Sequence, residues 1–263
     1  MRANAGPGRL LTASDVESLG LDAEEPPSPE CPYCGAPLEP LAVELDGRAY
    51  WVSHRDCGCE GERAVRERRE AEERRERRRE LLGRLTRAGI GRRYLDAQVS
   101  VRSCADYLAG FADSRGGGLY IYGPVGSGKT HEASALAARF VEAGYTVVMT
   151  GTLRMLDSVY ASYRSDSERA AGLSRYSTCD VLILDDLGKE GASGWAGTTL
   201  YQIVDARYNA MLPVIVTSQY PPQSIERRLA RGGEAETAAA IASRLAEMCE
   251  PVPLTHRDRR RCG

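Results

Sequence analysis

The residues Gly123-Pro124-Val125-Gly126-Ser127-Gly128-Lys129-Thr130 follow the pattern GxxxxGK[ST]. Glycines at those spacings let a loop wrap a phosphate with its backbone N–H groups, and a helix starting at the lysine aims its positive end at the same anion. Lys129 is placed to neutralise β- and γ-phosphates, and the Thr130 hydroxyl to ligate Mg²⁺. Of the 35 basic residues only Lys129 and Lys189 are lysines, so a lysine at this position of the pattern carries weight. A second stretch, Val181-Leu182-Ile183-Leu184-Asp185-Asp186, is an apolar strand ending in two carboxylates, the form of a Walker B element. Asp185 suits a Mg²⁺ ligand, directly or through water. Asp186 stands where a general base polarises an attacking water, or else acts as a helix N-cap or turn residue. A further strand, VIVTSQ, ends at Ser218 and Gln219. Ligands of open α/β sheets lie beyond the carboxyl ends of the strands. Ser218 or Gln219 can therefore reach a γ-phosphate or the attacking water, or else shape a turn.

A second chemistry is written into the cysteines. Cys31, Cys34, Cys57 and Cys59 cluster, while Cys104, Cys179, Cys249 and Cys262 are scattered singly. Cys31-Pro-Tyr-Cys34-Gly has the form of a zinc knuckle, and Cys57-Gly-Cys59 can complete a tetrahedral four-cysteine site. His54 is an alternative ligand for one of the four, and free or redox-active cysteines are the alternative to metal. With four protein ligands the zinc is structural, because no coordination position is left for substrate. Eight cysteines in 263 residues are too few for a disulfide scaffold.

These groups need elements to hold them. Composition is that of an ordinary folded chain, 42% hydrophobic and 27% charged, which excludes collagen-like and wholly disordered classes. No apolar run is long enough for a membrane helix, and the N-terminus lacks the apolar core of a secretory signal, so a cytoplasmic location is expected. The net charge of -2 names no partner. Residues 1–30 read as mostly disordered, with a short helix at Ser14–Leu19. Residues 31–60 read as a zinc-binding module, with a hairpin turning at Asp46-Gly47. Residues 61–87 read as an Arg/Glu-rich connecting helix, laced by Glu62–Arg66, Glu70–Arg74, Glu73–Arg77 and Glu80–Arg84. From Glu62 to Arg93 there are thirteen Arg against seven Glu, the pattern of a solvated helix or of a nucleic-acid or partner contact. Residues 88–263 read as the catalytic core, with an N-terminal linker and a short basic tail. Its expected strands are Leu119–Tyr122, Tyr145–Met149, Val181–Leu184, Val214–Thr217 and Val252–Leu254. Its expected helices are Lys129–Ala143, Thr152–Tyr163, Trp195–Met211, Ile225–Ala230 and Ala235–Met248. Strands alternating with helices imply an α/β fold, a three-layer P-loop NTPase core on a mainly parallel five-stranded sheet.

LYIYGPVGSGKTH, VLILDDLG, VIVTSQ and IASRL together resemble the AAA+ ATPases of the DnaC/DnaI helicase-loader and IstB-like group, over roughly residues 90–255. The resemblance implies a compact AAA+ core with little or no C-terminal lid, and ATP held between Gly123–Thr130 and a neighbouring subunit of a homo-oligomer. It implies that Arg244 is a trans-acting arginine finger, with Arg227 and Arg228 as competitors. It places the linker Ile90–Tyr94 near adenine. Gln219 departs from the group, where asparagine is usual at this strand end. Asp186 stands in place of the glutamate of most AAA+ proteins, although DDLG is usual in this group, and the shorter acid suggests slow, switch-like hydrolysis. A cysteine-bearing module followed by a charged helix resembles helicase loaders more than transposition helpers. The implied activity is loading of a hexameric replicative helicase onto single-stranded DNA, with residues 31–85 gripping the helicase.

The alternatives are an IstB-like helper that acts on duplex DNA with a transposase, a small-molecule P-loop kinase, and a non-hydrolysing zinc adaptor. The kinase reading lacks a convincing basic lid.

Overall fold

A computed structural model describes residues 10–162, 166–189, 194–232 and 234–255. The chain divides into two compact units, residues 1–78 and 79–263.

The first unit is organised by the hairpin. β3 (Pro40–Leu45) and β4 (Arg48–His54) pair antiparallel across Asp46 and Gly47, which take φ of 53° and 81°. Positive φ at both central residues matches the twist of the flanking strands, which is why Asp-Gly is favoured there. The expectation of disorder over residues 1–30 is corrected for the described residues from 10 onward. β1 (Leu11–Thr12) pairs with β3, and β2 (Asp22–Ala23) runs parallel to β4, giving the sheet order β1-β3-β4-β2. Two-residue strands are invisible to periodicity and form only because the hairpin offers them edges. Between them α1 (Ala13–Leu19) starts on a capping box in which the Thr12 and Asp15 side chains bond each other's backbone N–H. Leu11, Val16, Ala42 and Ala49 form the core of this unit. It is small, and small domains commonly need a metal or disulfides to supplement so little buried surface.

α2 (Glu60–Arg87) starts in the first unit and ends in the second. The Glu70–Arg74 and Glu73–Arg77 pairs form, at 3.5 and 4.0 Å. The other two expected pairs are replaced. Arg66 approaches Asp56 at 4.0 Å, Glu62 accepts the Gly58 N–H at 2.6 Å, and the Arg84 guanidinium donates to the Val141 carbonyl. Fixed backbone groups compete well against solvated carboxylates, whose ion pairs are weak at a surface.

The second unit is a three-layer α/β/α sandwich. Its strands are β5 (Gly118–Tyr122), β6 (Val147–Gly151), β7 (Val181–Leu187), β8 (Val214–Ser218) and β9 (Cys249–Pro253). All neighbours pair parallel, in the order β6-β7-β8-β5-β9. Alternation assigns side chains to the two faces. Leu119, Ile121, Ile183 and Ile215 pack beneath α4 (Lys129–Glu142), while Tyr120, Leu182, Leu184 and Val216 pack with α5 (Thr152–Ala161), α7 (Gly194–Asn209) and α9 (Ala235–Met248). α3 (Arg102–Ala109) precedes the sheet, and α8 (Pro222–Leu229) follows β8.

Several boundaries differ from expectation. β6 begins at Val147 because Tyr145 instead turns its ring onto Phe111 and Phe140, at 5.2 and 5.8 Å between centroids. β7 continues past Leu184 through both aspartates. α6 (Asp166–Ser177) was not anticipated. The loop after it is fixed by Arg207, fully buried, whose guanidinium donates to the carbonyls of Tyr176, Cys179, Asp180 and Pro213 at 2.8–3.2 Å. Residues 1–9, Tyr163 and the basic tail from 256 lie outside the described residues.

Candidate functional site

The phosphate-loop pattern folds as expected, between β5 and α4. Gly123 is required by a close approach: a Cβ there would run into the backbone carbonyl of Leu254, which follows the neighbouring strand β9. Gly126 and Gly128 take φ of 79° and 98°, left-handed conformations that a side chain would strain. Lys129, only 6% exposed, donates from Nζ to the carbonyls of Gly123 and Pro124 at 2.9 and 2.8 Å. Ser127 is buried, and its Oγ has no hydrogen-bond partner among the described residues. Pro124 and Val125 complete the loop, and Val125 is exposed on the cleft side.

Beside the loop the structure gathers the predicted magnesium ligands. Thr130 Oγ1 lies 3.1 Å from both carboxylate oxygens of Asp185. Burial raises the pKa of Asp185 above the usual carboxylate value; Asp186 alongside pushes the same way, while the Thr217 and Thr130 hydroxyls and Lys129 oppose it. Asp186 has φ of 62° and lines the cleft, its carboxylate 3.0 Å from Lys189 Nζ. It is neither a helix N-cap nor buried: it stands at a break in the β7–β8 ladder between Leu184 and Leu187.

The cleft has a volume of ≈ 460 Å³. Gly126, Gly128, Lys129 and Thr130 form its loop side, and Asp186, Lys189 and Gln219 line it as well. Arg93, Tyr94 and His131 complete the lining, so the linker expected near a base does reach this cleft. A polar cleft over a glycine loop, with an unused buried hydroxyl and a paired threonine and carboxylate, fits a nucleoside triphosphate and a divalent cation.

Four candidates behave differently. Ser218 is excluded from the cleft: its Oγ donates to the Leu187 carbonyl at 2.8 Å and accepts the Tyr220 N–H at 3.1 Å. Alternation along β8 turns it away from Thr217. Arg244 is not among the residues lining the cleft of its own chain. It is held between α7 and α9 by Asp205 at 2.5 Å and the Tyr201 hydroxyl at 3.1 Å, with its guanidinium over the Tyr201 ring. Of its competitors, Arg227 is exposed and Arg228 donates to the Gly188 carbonyl at 2.6 Å. Sequence reasoning missed Thr217, Lys189 and His131. Lys189 could have been found as the second of two lysines, three residues beyond Asp186.

In the first unit the four sulfurs of Cys31, Cys34, Cys57 and Cys59 all lie within 4.8 Å of one another. Cys31 and Cys59 are 3.8 Å apart, Cys34 and Cys57 3.4 Å. Tetrahedral zinc with Zn–S bonds of about 2.3 Å places sulfurs about 3.8 Å apart, so the donor set fits zinc. His54 is not part of this group. Cys31 is lowered to about 7, chiefly by the backbone N–H of Tyr33, whereas the hydrogen bond with Cys34 pushes Cys57 up to about 12.

The family profile described as IstB-like ATP binding protein matches residues 96–261. The replicative helicase loader DnaI of Bacillus subtilis is 27% identical over 161 residues, 59% of this chain and 51% of that protein. A "putative insertion sequence ATP-binding protein" of Sinorhizobium fredii is 26% identical over 106 residues, 40% of this chain and 35% of that protein. The chain thus spans about half, or less, of the length of these relatives. A crystal structure of DnaI superposes with a TM-score of 0.55 at 24% identity, covering 63% of this chain and 94% of that one, which shows a shared fold.

Proposed function

The chain belongs to the IstB-like ATP-binding protein family, and from that premise we propose that it hydrolyses ATP slowly, as a switch that loads a hexameric replicative helicase onto single-stranded DNA. The observation that carries the ATPase reading is the Thr130–Asp185 pair, 3.1 Å apart beside a buried Lys129. Bound Mg²⁺ would supply charge neutralisation on the β- and γ-phosphates. Thr130 and Asp185 are the residues that would hold it. Lys129 leaves two loop carbonyls to meet phosphate oxygens, an exchange of neutral acceptors for charged ones. The N-terminus of α4 and the loop N–H groups bind and orient the anion. Asp186 orients the attacking water and accepts its proton, with Gln219 alongside in the cleft. Arg244 would serve a neighbouring subunit's site across a nucleotide-dependent homo-oligomer, after release from Asp205.

The loader reading is favoured over the insertion-sequence helper by the separate four-cysteine unit ahead of the core. We assign it structural zinc and contact with the helicase. The cytoplasm is the compartment this activity requires, and among the described residues no helix is long and apolar enough to cross a membrane.

Native mass spectrometry of the full chain with the cognate replicative helicase, with and without ATP, tests the proposal. The expected result is a complex whose occupancy depends on ATP, and hydrolysis that rises with single-stranded DNA. A Cys34→Ser/Cys57→Ser chain should lose the complex while retaining ATP binding. Absence of a complex in every nucleotide state overturns the loader reading, and filaments on duplex DNA would replace it with the transposition helper.

A further inference from the structure

The ends of β7 and β8 pose a local problem. Their ladder is regular through Leu184–Val216 and resumes at Leu187–Ser218, so β7 carries one residue more than β8 across this interval. Asp185 and Asp186 sit in that bulge. Asp185 still pairs with Gly151 on β6, whereas the Asp186 N–H has lost its ladder carbonyl. A backbone donor this close to a core strand needs another acceptor.

Thr217 provides it. Its side chain is 0% exposed. Its Oγ1 accepts the Asp186 N–H at 2.9 Å and donates to Asp185 Oδ1 at 2.6 Å. A hydroxyl can do both because it carries one donor and two acceptor lone pairs. The hydroxyl stands in for the missing ladder carbonyl and at the same time fixes the carboxylate that faces Thr130. It also helps hold Asp186 at φ of 62°, a left-handed conformation that a non-glycine residue keeps only when its surroundings impose it. The neighbouring side chains cannot substitute: Ser218 is committed to Leu187 and Tyr220, and Gln219 faces the cleft.

We propose that Thr217 is a positioning residue whose single buried hydroxyl locks the metal-binding carboxylate of Asp185 and the backbone of Asp186 into one unit. This rests on the ATPase reading of the cleft. It goes beyond that reading in assigning control of the carboxylates to Thr217, which is fully buried and not among the cleft-lining residues, rather than to Gln219, which lines the cleft. Groups that orient metal ligands typically contribute 10–100-fold to metal affinity or activity.

The test compares the full chain with Thr217→Val, which keeps the shape and removes the hydroxyl, and Thr217→Ser, which keeps the hydroxyl. The readout is fluorescent-nucleotide affinity titrated with Mg²⁺ and repeated in EDTA. Thr217→Val should raise half-saturating Mg²⁺ at least tenfold and leave affinity in EDTA within twofold, a split that a merely structural loss would not produce. Thr217→Ser should restore wild-type Mg²⁺ dependence. If Thr217→Val does not fold, Thr217→Ala against Thr217→Ser gives the same contrast. Unchanged Mg²⁺ dependence in the hydroxyl-free chain, or equal loss in Thr217→Ser, overturns the proposal. A wild-type chain that binds nucleotide with Mg²⁺ but does not hydrolyse it would overturn the ATPase reading alone, since the Mg²⁺ titration still reports on Thr217.

Discussion

Replacing Asp185 by asparagine should stabilise the nucleotide-free protein and, on the proposed ATPase function, abolish hydrolysis. The carboxylate is taken out of water beside Asp186, and its acidity is weakened as a result. Asparagine has nearly the same shape, and its Oδ1 can keep the hydrogen bonds now donated by Thr130 at 3.1 Å and Thr217 at 2.6 Å. What disappears is the cost of holding a charge there, set against some attraction to Lys129. Single stabilising substitutions commonly contribute about 0.5–2 kcal/mol. For a unit of 150–250 residues that corresponds to about 2–4 °C in Tm per kcal/mol. The sign with pH follows from linkage. The folded carboxyl titrates above its unfolded value, so wild-type stability falls as pH rises from the unfolded pKa through the raised folded one. Above that window the full cost is present, and below the unfolded pKa it vanishes. The advantage of Asp185→Asn is therefore largest above the raised folded pKa and shrinks as the pH drops into the window. Urea unfolding of both chains without nucleotide, at pH 7.5 and at stepwise lower pH, measures this directly. An Asp185→Asn chain that unfolds at equal or lower urea at pH 7.5 would refute the reasoning, as would a gain independent of pH.

Other outcomes follow from particular contacts. Arg207→Met leaves four carbonyls, three of them in buried hydrogen bonds, without their donor and should cost at least about 1–3 kcal/mol in urea unfolding; a loss under about 1 kcal/mol would show that the guanidinium is dispensable. The purified full chain should carry one zinc by native mass spectrometry, with the four clustered thiols unreactive to a thiol reagent until a chelator is added. Gly123→Ala must displace Leu254 or the loop itself, and should weaken ATP binding at least tenfold in equilibrium titration. Arg244→Ala should lower turnover by a factor on the order of 10³ with ATP affinity unchanged if the residue acts in trans. A merely structural Arg244, paired with Asp205, would instead appear as a lower Tm with normal turnover.

The sequence alone determined the groups whose identity is their function. A glycine loop, a lysine and a threonine in fixed register need no distant partner to be recognised, because loop and helix are contiguous in the chain. The core strands of the sheet were likewise legible: a parallel strand buried on both faces must be continuously apolar, as in Val181–Leu184. The cysteines were recognisable as a set, because Cys31, Cys34, Cys57 and Cys59 fall close together in the chain at spacings that suit one metal ion. Only the tertiary structure decided which partners each group has. β1 and β2 exist because a hairpin offers them edges. Arg84 and Glu62 choose backbone over ion pairs because the backbone is held in place. Arg207 is a core residue because four carbonyls converge on it. Thr217, and not Ser218, serves the site, because a one-residue bulge in β7 leaves an N–H that only a side chain on the same face of β8 can satisfy. Register between strands distant in the chain is set by the packing of the whole sheet, and a shift of one residue reverses which side chains face the site.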